Sequence, residues 1–170
     1  MATEADLKSA FISMIQANQG LVNSLCKLYS RSDEEMKDYR QDVLLALWQA
    51  FPNFRKESKI STWMYRVGLN TLISNHRKKS SRIVTEPYSE AAELHPSSEA
   101  GSDDGLLVLQ RAIGMLNPMD KAVVILHLEG YAHKEIADLL GLSETNVSTR
   151  LNRIKKQLEK SIKSLEHESI

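Results

Sequence analysis

Around Gly141 the chain reads Glu135-Ile-Ala-Asp-Leu-Leu-Gly-Leu-Ser-Glu-Thr-Asn-Val, and no other stretch limits the possible folds so tightly. Ala137 stands four residues before the glycine and Val147 six after it. A helix-turn-helix needs a small residue where the helices cross, a left-handed turn residue, and an apolar anchor on the second helix. Ile136, Ala137, Leu139 and Leu140 supply the first helix, and Ser143 is placed to cap the second. On that second helix Val147, Leu151, Ile154 and Leu158 recur at i, i+4, i+7 and i+11, so they share an inward stripe. The opposite side presents Thr145, Thr149, Asn152 and Lys156, flanked by Asn146, Ser148 and Arg153. Asn suits an adenine edge, Arg a guanine, and Thr a hydroxyl or methyl contact. Ser143 and the helix amino terminus suit a phosphate. A solvated surface helix carries similar residues; the attached turn signature favours a groove-reading surface.

The rest of the sequence is helical in pattern as well. Only 7 Gly and 4 Pro punctuate 170 residues, and β-branched residues form no alternating runs. Leu7, Phe11, Met14 and Ile15 fall at helical spacing, as do Leu21, Val22, Leu25 and Leu28. Ser32-Asp-Glu-Glu opens a helix carrying Tyr39, Val43, Leu47 and Ala50, which Pro52 ends. A polar loop, Asn53 to Lys59, leads to a helix capped at Ser61 or Thr62. There Trp63, Val67 and Asn70 share one side, and Tyr65, Leu69 and Leu72 another. Gly68 inside that helix suggests close packing. After a stretch without periodicity, Leu106, Leu109, Ile113 and Leu116 form a stripe broken at Asn117-Pro118, and a helix from Asp120 stops at Gly130. The expected architecture is all-α: two small helical domains, residues 1–80 and 105–165, joined by a flexible acidic linker at 81–104, with a tail at 166–170.

Equal numbers of basic and acidic residues, 22 each, argue against a simple DNA binder until their placement is seen. Arg55, Lys56, Lys59, Arg66, Arg77, Lys78, Lys79 and Arg82 face a single acid, Glu57. From Glu86 to Asp104 the chain carries Glu86, Glu90, Glu93, Glu99, Asp103 and Asp104 with no Lys or Arg, and it turns basic again from Arg150 to Lys163. Segregation of this kind is an electrostatic layout.

Taken in order, these segments resemble an extracytoplasmic-function sigma factor, the small two-domain class of promoter-specificity subunits of bacterial RNA polymerase. Asp38 to Phe54, DYRQDVLLALWQAFPNF, is similar to the family's region two helix. STWMYRVGLNTLISNHRKK, from Ser61, is similar to its promoter-melting helix, and residues from Leu116 to Leu158 to region four. The run ESKISTWMYRVGLN most resembles Bacteroidetes-type members. The resemblance implies that Asp38, Arg40, Gln41, Asp42, Leu45 and Trp48 dock on core RNA polymerase. It implies that Lys56, Ser58, Lys59, Trp63, Tyr65, Arg66, Asn70, Asn75, Arg77, Lys78 and Lys79 hold the melted minus-ten element. Rings near a helix start are more often core than stacking platforms, so Trp63 and Tyr65 carry both readings. For the duplex minus-thirty-five element it implies Ser143, Thr145, Asn146, Ser148, Thr149, Arg150, Asn152, Arg153 and Lys156. Many relatives have Lys or Arg where Ser148 stands and serine where Thr149 stands, which bears on affinity and on the element read. An anti-sigma partner is a further implication.

No phosphate-binding glycine loop, dinucleotide turn or HExxH occurs, and the five histidines lack metal-ligand company, so neither an enzyme nor a cofactor or metal site is expected. Cys26 is the sole cysteine, in the apolar run LVNSLCKLY, and is expected to be a buried small hydrophobe in a reducing cytoplasm. The amino terminus is unlike a signal peptide, and no run of apolar residues is long enough for a membrane span. Two other classes remain open: a polymerase-independent regulator binding DNA as a homodimer, and an interaction-only helical adaptor.

Overall fold

The computed structural model describes residues 3–82 and 104–168, so the acidic linker, Ser81, Arg82 and Asp104 apart, lies outside the described residues. The chain divides into two compact units. Every regular element among the described residues is helical.

The amino-terminal unit holds α1 (Glu4–Ala17), α2 (Gln19–Tyr29), α3 (Asp33–Ala50), a 3₁₀ turn (Phe51–Asn53) and α4 (Ile60–Arg82). Thr3 and Asp6 form a reciprocal capping box on α1. Ser32 Oγ accepts from the Glu35 amide at 3.1 Å and caps α3. Pro52 lies inside the 3₁₀ turn, where its missing amide ends the α-helical ladder. The core is made by three helices: Val22, Leu25, Cys26 and Tyr29 of α2, Tyr39, Val43 and Leu47 of α3, and Met64, Leu69 and Leu72 of α4 are all buried. Burial pushes the Cys26 thiol up to about 11, which keeps it an unreactive space-filler. By contrast, α1 buries no residue fully. It attaches through Phe11, whose ring meets Trp48 at 5.0 Å and Phe51 at 5.4 Å, edge-on in both cases.

The fourth helix starts at Ile60, ahead of the expected Ser61 or Thr62 cap, because the Trp63 amide already bonds the Lys59 carbonyl at 3.1 Å. Gly68 is where α4 comes closest to its neighbours. A methyl there would meet Leu25 Cδ1 at 3.2 Å and Val43 Cγ1 at 3.8 Å. Alanine would require Leu25 to give slightly. Valine has nowhere to put two further methyls, so Gly68→Val is expected to lower unit stability by about 1–3 kcal/mol, read as a drop in the thermal midpoint followed by tryptophan emission.

The carboxy-terminal unit holds α5 (Asp104–Gly114), α6 (Pro118–Leu128), α7 (His133–Leu140) and α8 (Glu144–Glu168). Asn117 Oδ1 accepts from the Asp120 amide at 2.9 Å, which caps α6. That helix begins at Pro118, two residues before the expected start, since proline fits a first turn that needs no amide donor. Gly141 closes α7 with φ +68°, the left-handed conformation its place in the motif requires. Ile113, Leu116, Val123, Leu126, Ile136, Val147 and Ile154 meet in the core. The last helix runs to Glu168, past the expected start of the tail at 166, with Ile162 and Leu165 half-buried along the stripe begun by Val147.

Candidate nucleic-acid interface

In the carboxy-terminal unit, helical phase separates the two faces of α8 as expected. Val147 and Ile154 are buried, Leu151 and Leu158 half-buried, and Thr145, Thr149, Asn152 and Lys156 exposed. Ser143 Oγ accepts from the Asn146 amide at 3.1 Å, so this hydroxyl is the helix cap and retains its proton for a phosphate. Ser148 is half-buried at the edge of the stripe.

The two arginines are less free than the sequence implies. Arg150 Nη1 donates to Asp120 Oδ1 at 2.7 Å, and its Nε donates to Asn146 Oδ1 at 2.8 Å. Arg153 Nη2 donates to Asp120 Oδ2 at 2.8 Å. Because a guanidinium only donates, the Asn146 acceptor is its oxygen, one of whose two lone pairs is therefore engaged within the protein. The Asn152 side chain is exposed and makes no hydrogen bond within the described residues, so it is the freer of the two asparagines for adenine. Asp120 was legible only as a helix-start residue; its burial comes from packing between α6 and α8 that spacing does not reveal.

The amino-terminal unit carries a second surface. Lys56, Ser58 and Lys59 are exposed in the loop before α4, and Lys56 takes φ +59°, which is uncommon for a residue with a side chain. This loop, α1 and the 3₁₀ turn border an open groove of about 720 Å³, lined by Leu7, Met14, Phe51, Phe54 and Ile60 with Lys56 and Ser58 at its edge. Arg66, Asn70 and Arg77, at i, i+4 and i+11, are exposed along one side of α4, with Lys78 beside them.

Four residues expected on the melted strand have other partners. Tyr65 is only 8% exposed and belongs to the core. Its spacing to Leu69 and Leu72 puts it on the buried stripe, so of the two readings open to this ring the burial favours core over base stacking. Trp63 is half-buried, its ring 4.9 Å from Phe54 and 6.3 Å from Phe51. Asn75 Nδ2 donates to Asp42 Oδ2 at 2.8 Å, which joins α4 to α3. Lys79 donates to Glu35 Oε1 at 2.7 Å and to the Tyr39 hydroxyl at 3.1 Å, with its ammonium 4.7 Å from the Tyr39 ring centre. The basic end of α4 is therefore split: Arg77 and Lys78 are free of ion pairs among the described residues, while Lys79 is anchored.

The anchor sets a pH dependence. Burial alone would raise the Glu35 carboxyl, but bonds from Lys79, the Arg31 amide and Tyr39 outweigh it and hold it below its ordinary value of 4.5. The stabilisation is therefore complete above that value and is lost as pH falls through the lower folded-state value. The thermal midpoint of this unit is expected to fall on acidification, and Glu35→Gln to flatten that part of the profile; an unchanged slope would contradict the assignment.

On α3 the residues expected to dock divide similarly. Asp38, Gln41, Asp42 and Leu45 are exposed on one side, and Leu45, 55% exposed, is an apolar centre among polar neighbours. Arg40 is half-buried and its Nη1 donates to Asn23 Oδ1 at 2.9 Å, while Trp48 lies against Phe11. These two brace helices rather than extend the exposed stripe.

Residues 14–82 match the family model described as sigma-70 region 2, and residues 106–158 the model described as sigma-70, region 4. The ECF RNA polymerase sigma factor SigM of Mycobacterium tuberculosis is 26% identical over 152 residues, covering 88% of this chain and 75% of that protein. The RNA polymerase sigma factor YlaC of Bacillus subtilis is 28% identical over 148 residues, covering 81% of this chain and 83% of that protein. In fold, the sigma factor RpoE of Bartonella quintana, solved with the anti-sigma factor NepR, matches with TM-score 0.65 at 22% identity, over 93% of this chain and 97% of that one. With both regions present in order and such relatives matching most of its length, the chain belongs to the sigma-70 family, as a sigma factor of the extracytoplasmic-function type.

Proposed function

We propose that this protein binds core RNA polymerase and directs it to particular promoters, with the amino-terminal unit opening the minus-ten element and the carboxy-terminal unit reading the minus-thirty-five element as duplex. The observation that carries the reading is the exposed Thr145, Thr149, Asn152 and Lys156 stripe, set on a helix whose other side is locked into a helix-turn-helix core. The exposed Arg66, Asn70, Arg77 and Lys78 provide donors and charge for a single strand, as such binding requires. On α3, Asp38, Gln41 and Leu45 form a mixed polar and apolar surface suited to a protein helix. The ESKISTWMYRVGLN run supports a place in the Bacteroidetes-type branch. An anti-sigma factor is a further partner, as for the fold relative solved with one. No helix among the described residues is long and apolar enough to cross a membrane, which fits work on DNA in the cytoplasm.

Footprinting on promoter duplex, with and without core polymerase, tests the reading. The expected result is weak binding alone and, with core, a protected minus-thirty-five element and permanganate-reactive thymines at minus ten. Tight, two-fold-symmetric protection by the protein alone would favour a homodimeric regulator instead.

A further inference from the structure

Asp120 is 1% exposed, yet both of its carboxylate oxygens are used by the helix assigned above to the DNA groove. Oδ1 accepts from Arg150 at 2.7 Å. Oδ2 accepts from Arg153 at 2.8 Å and from Asn117 Nδ2 at 2.7 Å. The acid sits in the first turn of α6, where the helix amino terminus favours negative charge. Its backbone amide is held in turn by Asn117 at 2.9 Å, so the carboxylate is a fixed post.

The two arginines on that post are held differently. Arg150 donates through Nη1 to Asp120 and through Nε to Asn146, and its side chain is 25% exposed. Arg153 is held at one nitrogen only, and its side chain is 58% exposed. A guanidinium has five N–H donors in a rigid fork, so most of those on Arg153 face solvent from a fixed base. One carboxylate shared by two guanidinium groups also leaves a net positive charge at this place.

We propose that Asp120, which itself touches no DNA, is a positioning residue that divides labour between these arginines: Arg150 is kept as a strut between α6 and α8, and Arg153 is presented ready-oriented to a backbone phosphate or a guanine of the duplex. The inference rests on the reading that this unit binds the minus-thirty-five duplex. An arginine oriented before binding loses less freedom on contact than one that must be ordered by the DNA. Asp120 therefore acts on affinity through Arg153 and on folding through Arg150.

The test uses the full-length protein with core polymerase on a promoter selected by transcript mapping. Wild-type start-site selectivity checks the functional reading separately. Binding to the duplex is then measured across a salt series, with helicity followed by circular dichroism. Arg153→Gln is expected to fold normally, weaken binding about tenfold, and reduce the salt slope by about one. Arg150→Gln is expected to lower the thermal midpoint while leaving the salt slope unchanged at temperatures where it is folded. Asp120→Asn is expected to weaken binding in the wild type but to add little in the Arg153→Gln background, the non-additivity of groups acting as one. An unchanged affinity and salt slope for Arg153→Gln would overturn the proposal, as would an equal loss from Asp120→Asn in both backgrounds. Because Arg153 is exposed, its single variant decides the matter even if Asp120→Asn does not fold.

Discussion

Replacing Ile154 with aspartate is expected to unfold the carboxy-terminal unit and leave the amino-terminal unit folded. Ile154 is 1% exposed, on the inner side of α8. The substitution removes a branched aliphatic side chain from a packed site and introduces a carboxylate with no partner there. Together these effects cost at least about 4–5 kcal/mol. A unit of this size has only roughly 3–10 kcal/mol of stability to lose. The sequence provides a selective reporter, because Trp48 and Trp63 are its only tryptophans and both lie in the amino-terminal unit. Ile154→Asp should lose a large part of its helical circular dichroism while tryptophan emission keeps the wild-type maximum and thermal midpoint. A red-shifted emission in the variant would mean that the two units do not carry separate cores.

Thr149→Glu is expected to have the largest functional effect without unfolding anything. Thr149 is exposed in the middle of the outward stripe of α8, and glutamate is at least as good a helix former as threonine. In a groove, however, its carboxylate would face bases and phosphates where a neutral donor is needed. Loss of that contact and the new repulsion together amount to about 3 kcal/mol, or roughly a hundredfold in affinity. Transcription from promoters that depend on a minus-thirty-five element should fall by about that factor, with the circular dichroism spectrum unchanged. Gln110→Glu makes the same change of charge on an exposed position of α5, off the outward stripe of α8, and should have little effect. Equal losses in the two variants would indicate a general electrostatic effect and count against groove reading by this face.

The helix-turn-helix was legible in the sequence because its determinants are local. Ala137, Gly141, Ser143 and Val147 each answer a requirement set within a few residues, and the structure shows a buried Ala137, a left-handed Gly141, a Ser143 cap and a buried Val147. The core of the amino-terminal unit was legible for the same reason, since Tyr39, Val43 and Leu47 repeat at helical spacing and are buried together. What periodicity could not show is which polar groups turn inward across helices. Asp120, Glu35 and Asn23 are ordinary helix residues in one dimension. In three, they hold Arg150 and Arg153, Lys79, and Arg40 respectively. Basic residues that look equivalent in a charged run are thus divided into braces and free donors by acids and amides far away in sequence. Tyr65 illustrates the converse: its chemistry suits base stacking, but its phase with Leu69 and Leu72 places it in the core.

Mapping the 5′ ends of transcripts made in vitro by purified core polymerase, with and without this protein, tests the central claim most directly. The expected result is a discrete set of start sites that appears only when the protein is added, shares common sequence near minus thirty-five and minus ten, and is lost with Thr149→Glu. Start sites indistinguishable from those of core polymerase alone would contradict the account.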